Sequence, residues 1–321
     1  VSVCITDPTY WLERLGLWHM MTDKTTTLYL PNAKRPVLPP NLSEGLCSLQ
    51  AGKPRAALVL WLWIGHDGAV IESGFLGGSV RIKHNYVYEE EAMKSCTTYA
   101  ALREATDLAQ KAAPLLDEIL DSHDVVAYWM MKYNVRAAEE LGRAKLGIYR
   151  AAPAPRVPDA GAAAARSQLP DDTQRLLRYW GAGAGSYTNW ENRAPHGGIA
   201  DGTKLYVQAT SPIRRICDLV NTMGLIQACH LRTLPQWWSA SSIAFAEKWS
   251  GDIAEIQRAG KAARKLQAEC ELLDHCMRVK SSVPEGDPPP EYDGYPVEKQ
   301  DRPAYSTFRF RYTVHIPALR N

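Results

Sequence analysis

The spacing of apolar and polar residues changes several times along the chain, and each change predicts an element. Val1 to Ile5 alternates and stops at Asp7-Pro8, because the proline ring disfavours continued pairing, so a short strand opens the chain. Pro36, Pro39 and Pro40 hold the next segment extended and irregular up to Leu42. Ala56 to Ile64 is a strongly apolar strand rich in Leu and Trp, and Ala69 to Phe75 is a second. Between them Gly65-His-Asp-Gly68 supplies the Asp-Gly pair of a hairpin turn. Val80 to Tyr86 reads as a third strand. From Tyr88 the pattern turns helical: Glu89-Glu-Glu91 fits a first turn, and Ala and Leu from Ala100 to Leu120 recur about every 3.6 residues. Val125 to Leu141 is a second long helix, buried on one side.

Pro153, Pro155 and Pro158 with Ala160 to Ala165 form a flexible connector, and Asp171-Asp172 reads as a helix cap within a linker-like stretch. Gly181 to Gly185 marks a loop before a strand at Lys204 to Ala209. Asp218 to Leu231 and Ser241 to Met277 are helical, with Lys261 to Lys265 as a solvated basic face. Pro284 to Pro303 is rich in proline and aspartate, and Tyr305 to Ile316 starts a new alternating pattern. The expected organisation is a domain over 1–283, a linker over 284–303 and the start of another unit over 304–321. The fold class is α+β: a mixed, mainly antiparallel sheet, including the strand at Lys204 to Ala209, surrounded by helices.

Composition narrows the function. The chain has 321 residues, 45% hydrophobic and 22% charged, ordinary for a globular protein with a sizeable core. Its net charge of +2 excludes a globally basic nucleic-acid binder, so any affinity for RNA comes from local clusters. Candidates are Lys34 with Arg35, Lys53 with Arg55, Arg81 with Lys83, and Arg214 with Arg215. Seven scattered cysteines, an odd number with no C-x-x-C pair, suit reduced thiols and an intracellular, reducing compartment, cytoplasm or organelle matrix alike. Cys270, His275 and Cys276 match no standard zinc spacing and read as a helical face. The most apolar stretch is far shorter than the ~20 residues of a membrane span, so no membrane partner is expected.

The segment Tyr206-Val-Gln-Ala-Thr-Ser-Pro-Ile-Arg-Arg-Ile-Cys-Asp-Leu219 carries the sharpest chemistry. Thr210 and Ser211 can cap a helix starting at Pro212, whose fixed φ suits a first helical position. Arg214 and Arg215 would then sit in the first turn, where the helix N-terminus also favours an anion. Such arginines serve either to hold a phosphate or simply as a solvated surface.

The T-S-P-I-R-R-x-x-D-L run closely resembles the signature of the ribonuclease II (RNB) family of 3'→5' exoribonucleases. A second block, Leu28-Tyr-Leu-Pro through Leu46-Cys-Ser-Leu49, is similar to the family's Y-L-P…P-M-L-P…L-S…L-C-S-L pattern, with Val37 for the usual Met. Ile5-Thr-Asp-Pro8, Met130-Met-Lys-Tyr-Asn134, Ile148-Tyr-Arg150 and Pro195-His-Gly-Gly-Ile199 add matches in the family's order, up to about Cys276.

The resemblance implies an RNB-type domain around a central RNA channel and hydrolysis of single-stranded RNA. Arg214 matches the family's catalytic arginine, Arg215 a neighbouring position that holds the RNA backbone, and Tyr29 the tyrosine that stacks on the 3'-terminal base. Ser211 and Tyr206, in the same motif, are further expected RNA contacts. Two divalent metals, Mg²⁺ by expectation, would be held in the family by an Asp cluster of the type D-x(5)-D-x-D-D just upstream of the strand that Val1 opens. This sequence contains no such cluster, so by itself the chain is expected not to hydrolyse RNA. The OB-type RNA-binding barrel expected after the catalytic domain needs five strands, of which about two would fit here, with Tyr312 to Pro317 resembling its opening strands.

Other positions depart from the pattern. Ala127-Tyr-Trp129 stands where the family has a Glu-containing turn, Thr222-Met223 replaces a His-Arg pair, Lys24 replaces an arginine and Ile216 a tyrosine. These losses raise an alternative: a catalytically inactive RNB module acting as an RNA-binding or scaffold component of an RNA-processing or ribosome-assembly complex.

Overall fold

The structure is a computed structural model and describes the chain except residues 22, 154–167, 170–172, 175–184, 200–203, 233–236, 285–286, 289, 302–309 and 320–321. The proposed cap at Asp171-Asp172 and most of the alanine-rich connector lie outside the described residues.

Three antiparallel strands form the main sheet in the order β1 (Ser2–Thr6), β4 (Pro54–Ile64), β5 (Val70–Arg81). Leucines at 58, 60 and 62 alternate inward along β4, while Trp63 points out, as a sheet covered on one face requires. The turn closes with the Gly65 N–H donating to the Ala69 carbonyl and Gly68 at a φ of 82°. Of the expected third strand at Val80 to Tyr86, only Val80 and Arg81 are in a strand, as the end of β5, since β4 pairs with residues as far as Arg81.

Of the helices α1 (Pro8–Arg14), α2 (Glu91–Lys94), α3 (Thr97–Ala112) and α4 (Ser122–Arg143), α1 and α4 start at side-chain caps. Asp7 accepts from the Thr9 N–H before Pro8, and Asp121 and Asp124 form a reciprocal capping box. Val125, Tyr128, Trp129 and Tyr133 of α4 pack against Leu58, Leu60 and Phe75 of the sheet. A second core gathers Leu12, Trp18, Leu38 and Leu42 around α5 (Ile216–Ala228), α6 (Ala240–Gly251) and α7 (Ile253–Ser282). The expected single helix from Ser241 to Met277 is thus two, separated at Asp252, whose carboxylate caps α7 by accepting from the Glu255 N–H.

The strand expected at Lys204 to Ala209 does not form. It touches a sheet only through a bridge between Val207 and Tyr149. Its backbone groups are taken by asparagines instead: Asn134 accepts from the Ala209 N–H at 2.9 Å, and Asn221 donates to the Gln208 carbonyl at 2.9 Å. Small antiparallel pairs join β2 (Leu28–Leu30) to β3 (Ala33–Arg35) and β6 (Tyr149–Ala151) to β7 (Ser186–Thr188). Near the C-terminus β8 (Tyr295–Asp301) pairs with β9 (Phe310–His315), so the stretch expected as a linker contains a strand. No helix among the described residues is long and apolar enough to cross a membrane.

Candidate nucleic-acid interface

The arginine turn differs from its expected form, and the difference decides where the charge goes. Helix α5 begins at Ile216, not Pro212; residues 212–214 form a turn in which the Ser211 carbonyl accepts from the N–H groups of Arg214 and Arg215, both at 3.1 Å. The cause is Asp218, fully buried in the first turn of α5. Its carboxylate accepts from the Ser211 N–H at 2.8 Å and takes a bidentate fork from Arg215, Nε at 2.7 Å and Nη2 at 2.8 Å. Burial works against the Arg215 charge, and Asp218 more than offsets it, so the guanidinium is held more firmly protonated than usual. Arg215 therefore ties the turn down.

Arg214 has the opposite situation. Its side chain is exposed, with no hydrogen bond or ion pair among the described residues, while its backbone is fixed. The Arg214 carbonyl accepts from the Thr27 N–H at 2.9 Å and from the Thr26 hydroxyl at 3.3 Å, and the Ile216 N–H donates to the Thr25 carbonyl at 2.9 Å. These bonds zip the turn to the segment that runs into β2, where Tyr29 lies. Tyr29 is 43% exposed, its N–H donates to Gln267 of α7 at 3.2 Å, and the Lys34 ammonium sits 5.8 Å from its ring centre. Two residues of extended chain, roughly 7 Å, separate Tyr29 from Thr27, whose N–H the Arg214 carbonyl holds.

Beside the turn is a cleft of about 170 Å³ lined by Cys4, Ile5 and Thr6 of β1, by Leu49, and by the turn from Thr210 to Arg214. The Thr210 hydroxyl is buried in the turn without a hydrogen-bond partner among the described residues. Ser211 is buried at the cleft floor. Tyr206 is not in this cleft: its ring is half-buried 5.0 Å from His196, its hydroxyl accepts from Asn134 at 2.8 Å, and burial raises its pKa. The turn thus brings together Arg214, Ser211 and, through β2, Tyr29, with Arg215 behind them; Tyr206 stands apart.

The positions that depart from the RNB pattern have taken structural work. Tyr128 and Trp129 are buried, the indole N–H donating to Thr106 at 2.9 Å. Ile216 and Met223 are buried apolar groups of the second core, and the buried Thr222 hydroxyl donates to the Asp218 carbonyl at 2.8 Å.

A divalent metal needs carboxylates that are not otherwise engaged, and the cleft lining has none. The adjacent buried acids are Asp218, held by Arg215, and Asp7, paired with Arg232 and accepting from Thr9. Burial raises the Asp7 pKa, and Arg232 pulls it back only in part. Elsewhere among the described residues Glu89, Asp121 and His123 could present ligand atoms within 4.8 Å of one another. There Glu89 accepts from the Ser122 N–H and pairs with Lys94, while Asp121 caps α4. The residues present at the cleft do not fit a divalent metal.

The sequence motif marks the arginines and Tyr29 but gives no role to Asp218, whose spacing of three from Arg215 is that of a first-turn ion pair. It also missed the β1 wall of the cleft, which only the fold brings there.

Comparison with known proteins follows the same lines. Residues 1–143 match the family model described as RNB domain. "Exoribonuclease 2" of Escherichia fergusonii is 36% identical over 92 residues, 28% of this chain and 14% of that protein. Among solved structures, Mycoplasma genitalium RNase R in complex with ribose-methylated single-stranded RNA superposes with a TM-score of 0.67 at 18% identity, covering 87% of this chain and 53% of that one. Yeast Ssd1, described as a pseudonuclease, gives 0.58 at 15% identity, covering 85% and 40%. The chain spans about half the length of the RNase R chain and far less of the Exoribonuclease 2 relative. The fold is that of RNB exoribonucleases.

Proposed function

From residues 1–143 as an RNB domain, we propose that this chain is the RNA-holding part of an RNA-degrading protein of the ribonuclease II type, which hydrolyses single-stranded RNA from its 3' end. The observation that carries this is the Arg214 guanidinium, exposed and unpaired among the described residues, at the rim of a cleft whose Thr210 hydroxyl lacks a partner. In this reading Arg214 meets the phosphate to be cut and neutralises charge as it builds, a contribution of about 3 kcal/mol for a preorganised donor. Tyr29 stacks on the terminal base, and Arg215 acts through Asp218 by holding the turn. A divalent ion, Mg²⁺ by family resemblance, would supply the activated water. Its carboxylates are not among the residues of the cleft, so this chain alone is expected to bind RNA without cutting it.

A second reading, an inactive RNB module used for RNA binding or as a scaffold, rests on the burial of Tyr128, Trp129 and Met223 at or beside positions where the family carries charge. Either role suits a reducing compartment, since all seven cysteines are free.

Binding of labelled single-stranded RNA by the chain, with and without a base on the 3'-terminal nucleotide, tests the shared core of both. Tyr29→Ala is expected to weaken binding of the intact RNA by about 1–3 kcal/mol and to leave the abasic RNA unaffected. Equal weakening on both RNAs would remove Tyr29 from the 3' end. Release of mononucleotides by a longer form of the protein with Mg²⁺ separates the enzyme from the scaffold.

A further inference from the structure

Half-buried arginines in this protein are paired with acceptors. Arg103 is held by Asp107, Arg136 by Glu139 and Glu140, Arg215 by Asp218 and Arg232 by Asp7, while Arg55 donates to the Ser48 and Pro54 carbonyls. Arg150 is the exception among the described residues: it is half-buried in β6, and its side chain has no hydrogen bond or ion pair. A guanidinium partly removed from water without a counter-charge is costly, and an anionic ligand is the usual compensation.

Its surroundings keep that charge uncompensated. The Arg150 N–H donates to the Tyr206 carbonyl at 2.8 Å, and its field reaches the Tyr187, Tyr206 and His196 side chains. All three are neutral: burial raises both tyrosines, and burial and then Arg150 itself bring His196 down to about 4. Space for the guanidinium depends on Gly185, since a Cβ there would lie 2.8 Å from Arg150 Nε. Tyr206, which feels both Arg150 and Arg215, precedes the Thr210–Arg214 wall of the cleft by four residues, at most about 14 Å of chain.

We propose that Arg150 is a second phosphate-binding site, holding a backbone phosphate of the same RNA strand whose end lies at Arg214. The proposal rests on the RNA-binding reading above. Binding of a labelled oligouridylate to the whole chain, titrated with salt, tests it against Arg150→Gln and Arg214→Ala. Arg150→Gln is expected to weaken binding about tenfold at low salt and to reduce the salt slope by about 0.7, the share of one phosphate on a single strand. Arg150→Lys should keep the wild-type slope. Gly185→Ala, which displaces the guanidinium without changing net charge, should also lower affinity, and serves if Arg150→Gln does not fold. Wild-type affinity and slope in Arg150→Gln, or in Gly185→Ala where that variant alone folds, overturn the proposal while leaving the Arg214 reading intact. No binding by the wild-type chain overturns both.

Discussion

The carboxylate of Asp218 accepts from Ser211 and Arg215 with no exposure to water, so the arginine turn depends on one buried acid. Asp218→Asn keeps its shape but leaves the Arg215 fork without a counter-charge. The expected loss in urea unfolding is about 3–5 kcal/mol, as for a buried pair with one partner removed. His196 gives a pH signature. Its folded pKa of about 4 lies below the ordinary 6.5, so the unfolded chain takes up a proton first as pH falls. Stability is full above 6.5, declines down to about 4, and in thermal melts of His196→Gln this part of the decline should be absent. Cysteine reactivity is equally specific. The hydrogen bond from Thr98, with N–H groups at the start of α3, brings Cys96 down to about 7, while burial pushes Cys47 up to about 12 and Cys217 higher still. Iodoacetamide near neutral pH should modify Cys96 before either of those, and mass spectrometry reads the order.

The elements themselves were largely legible. The β4–β5 hairpin was carried by Asp67-Gly68 between apolar runs, and α4 by its one-sided apolar pattern, because these signals are local. What escaped was set by side-chain contacts to the backbone that the apolar pattern does not announce. The strand expected at Lys204 to Ala209 lost its ladder to Asn134 and Asn221, and α5 starts late because Asp218 captures Ser211. The hairpin is also tied to α3: a Cβ on Gly68, at φ 82°, would come within 2.1 Å of the Leu108 carbonyl oxygen. Gly68→Ala should therefore cost about 3 kcal/mol in chemical denaturation, more than a free hairpin turn would show.

At the scale of the molecule, two cores position the cleft. The sheet and α4 set its β1 wall, and α5 to α7 carry the arginine turn and brace β2 through Gln267. The family signature marks this region because it is contiguous, and the three-residue spacing of Arg215 and Asp218 is local, but the engagement of Asp7 by Arg232 appears only when the chain is folded. On the proposed reading, that combination gives RNA retention without cleavage. The most direct test of the cleft as an RNA site is the salt dependence of single-stranded RNA binding in the wild type and in Arg214→Ala. The account predicts measurable binding at low salt that Arg214→Ala weakens, with a salt slope smaller by about 0.7. Equal affinity and equal slope in the two proteins would contradict it.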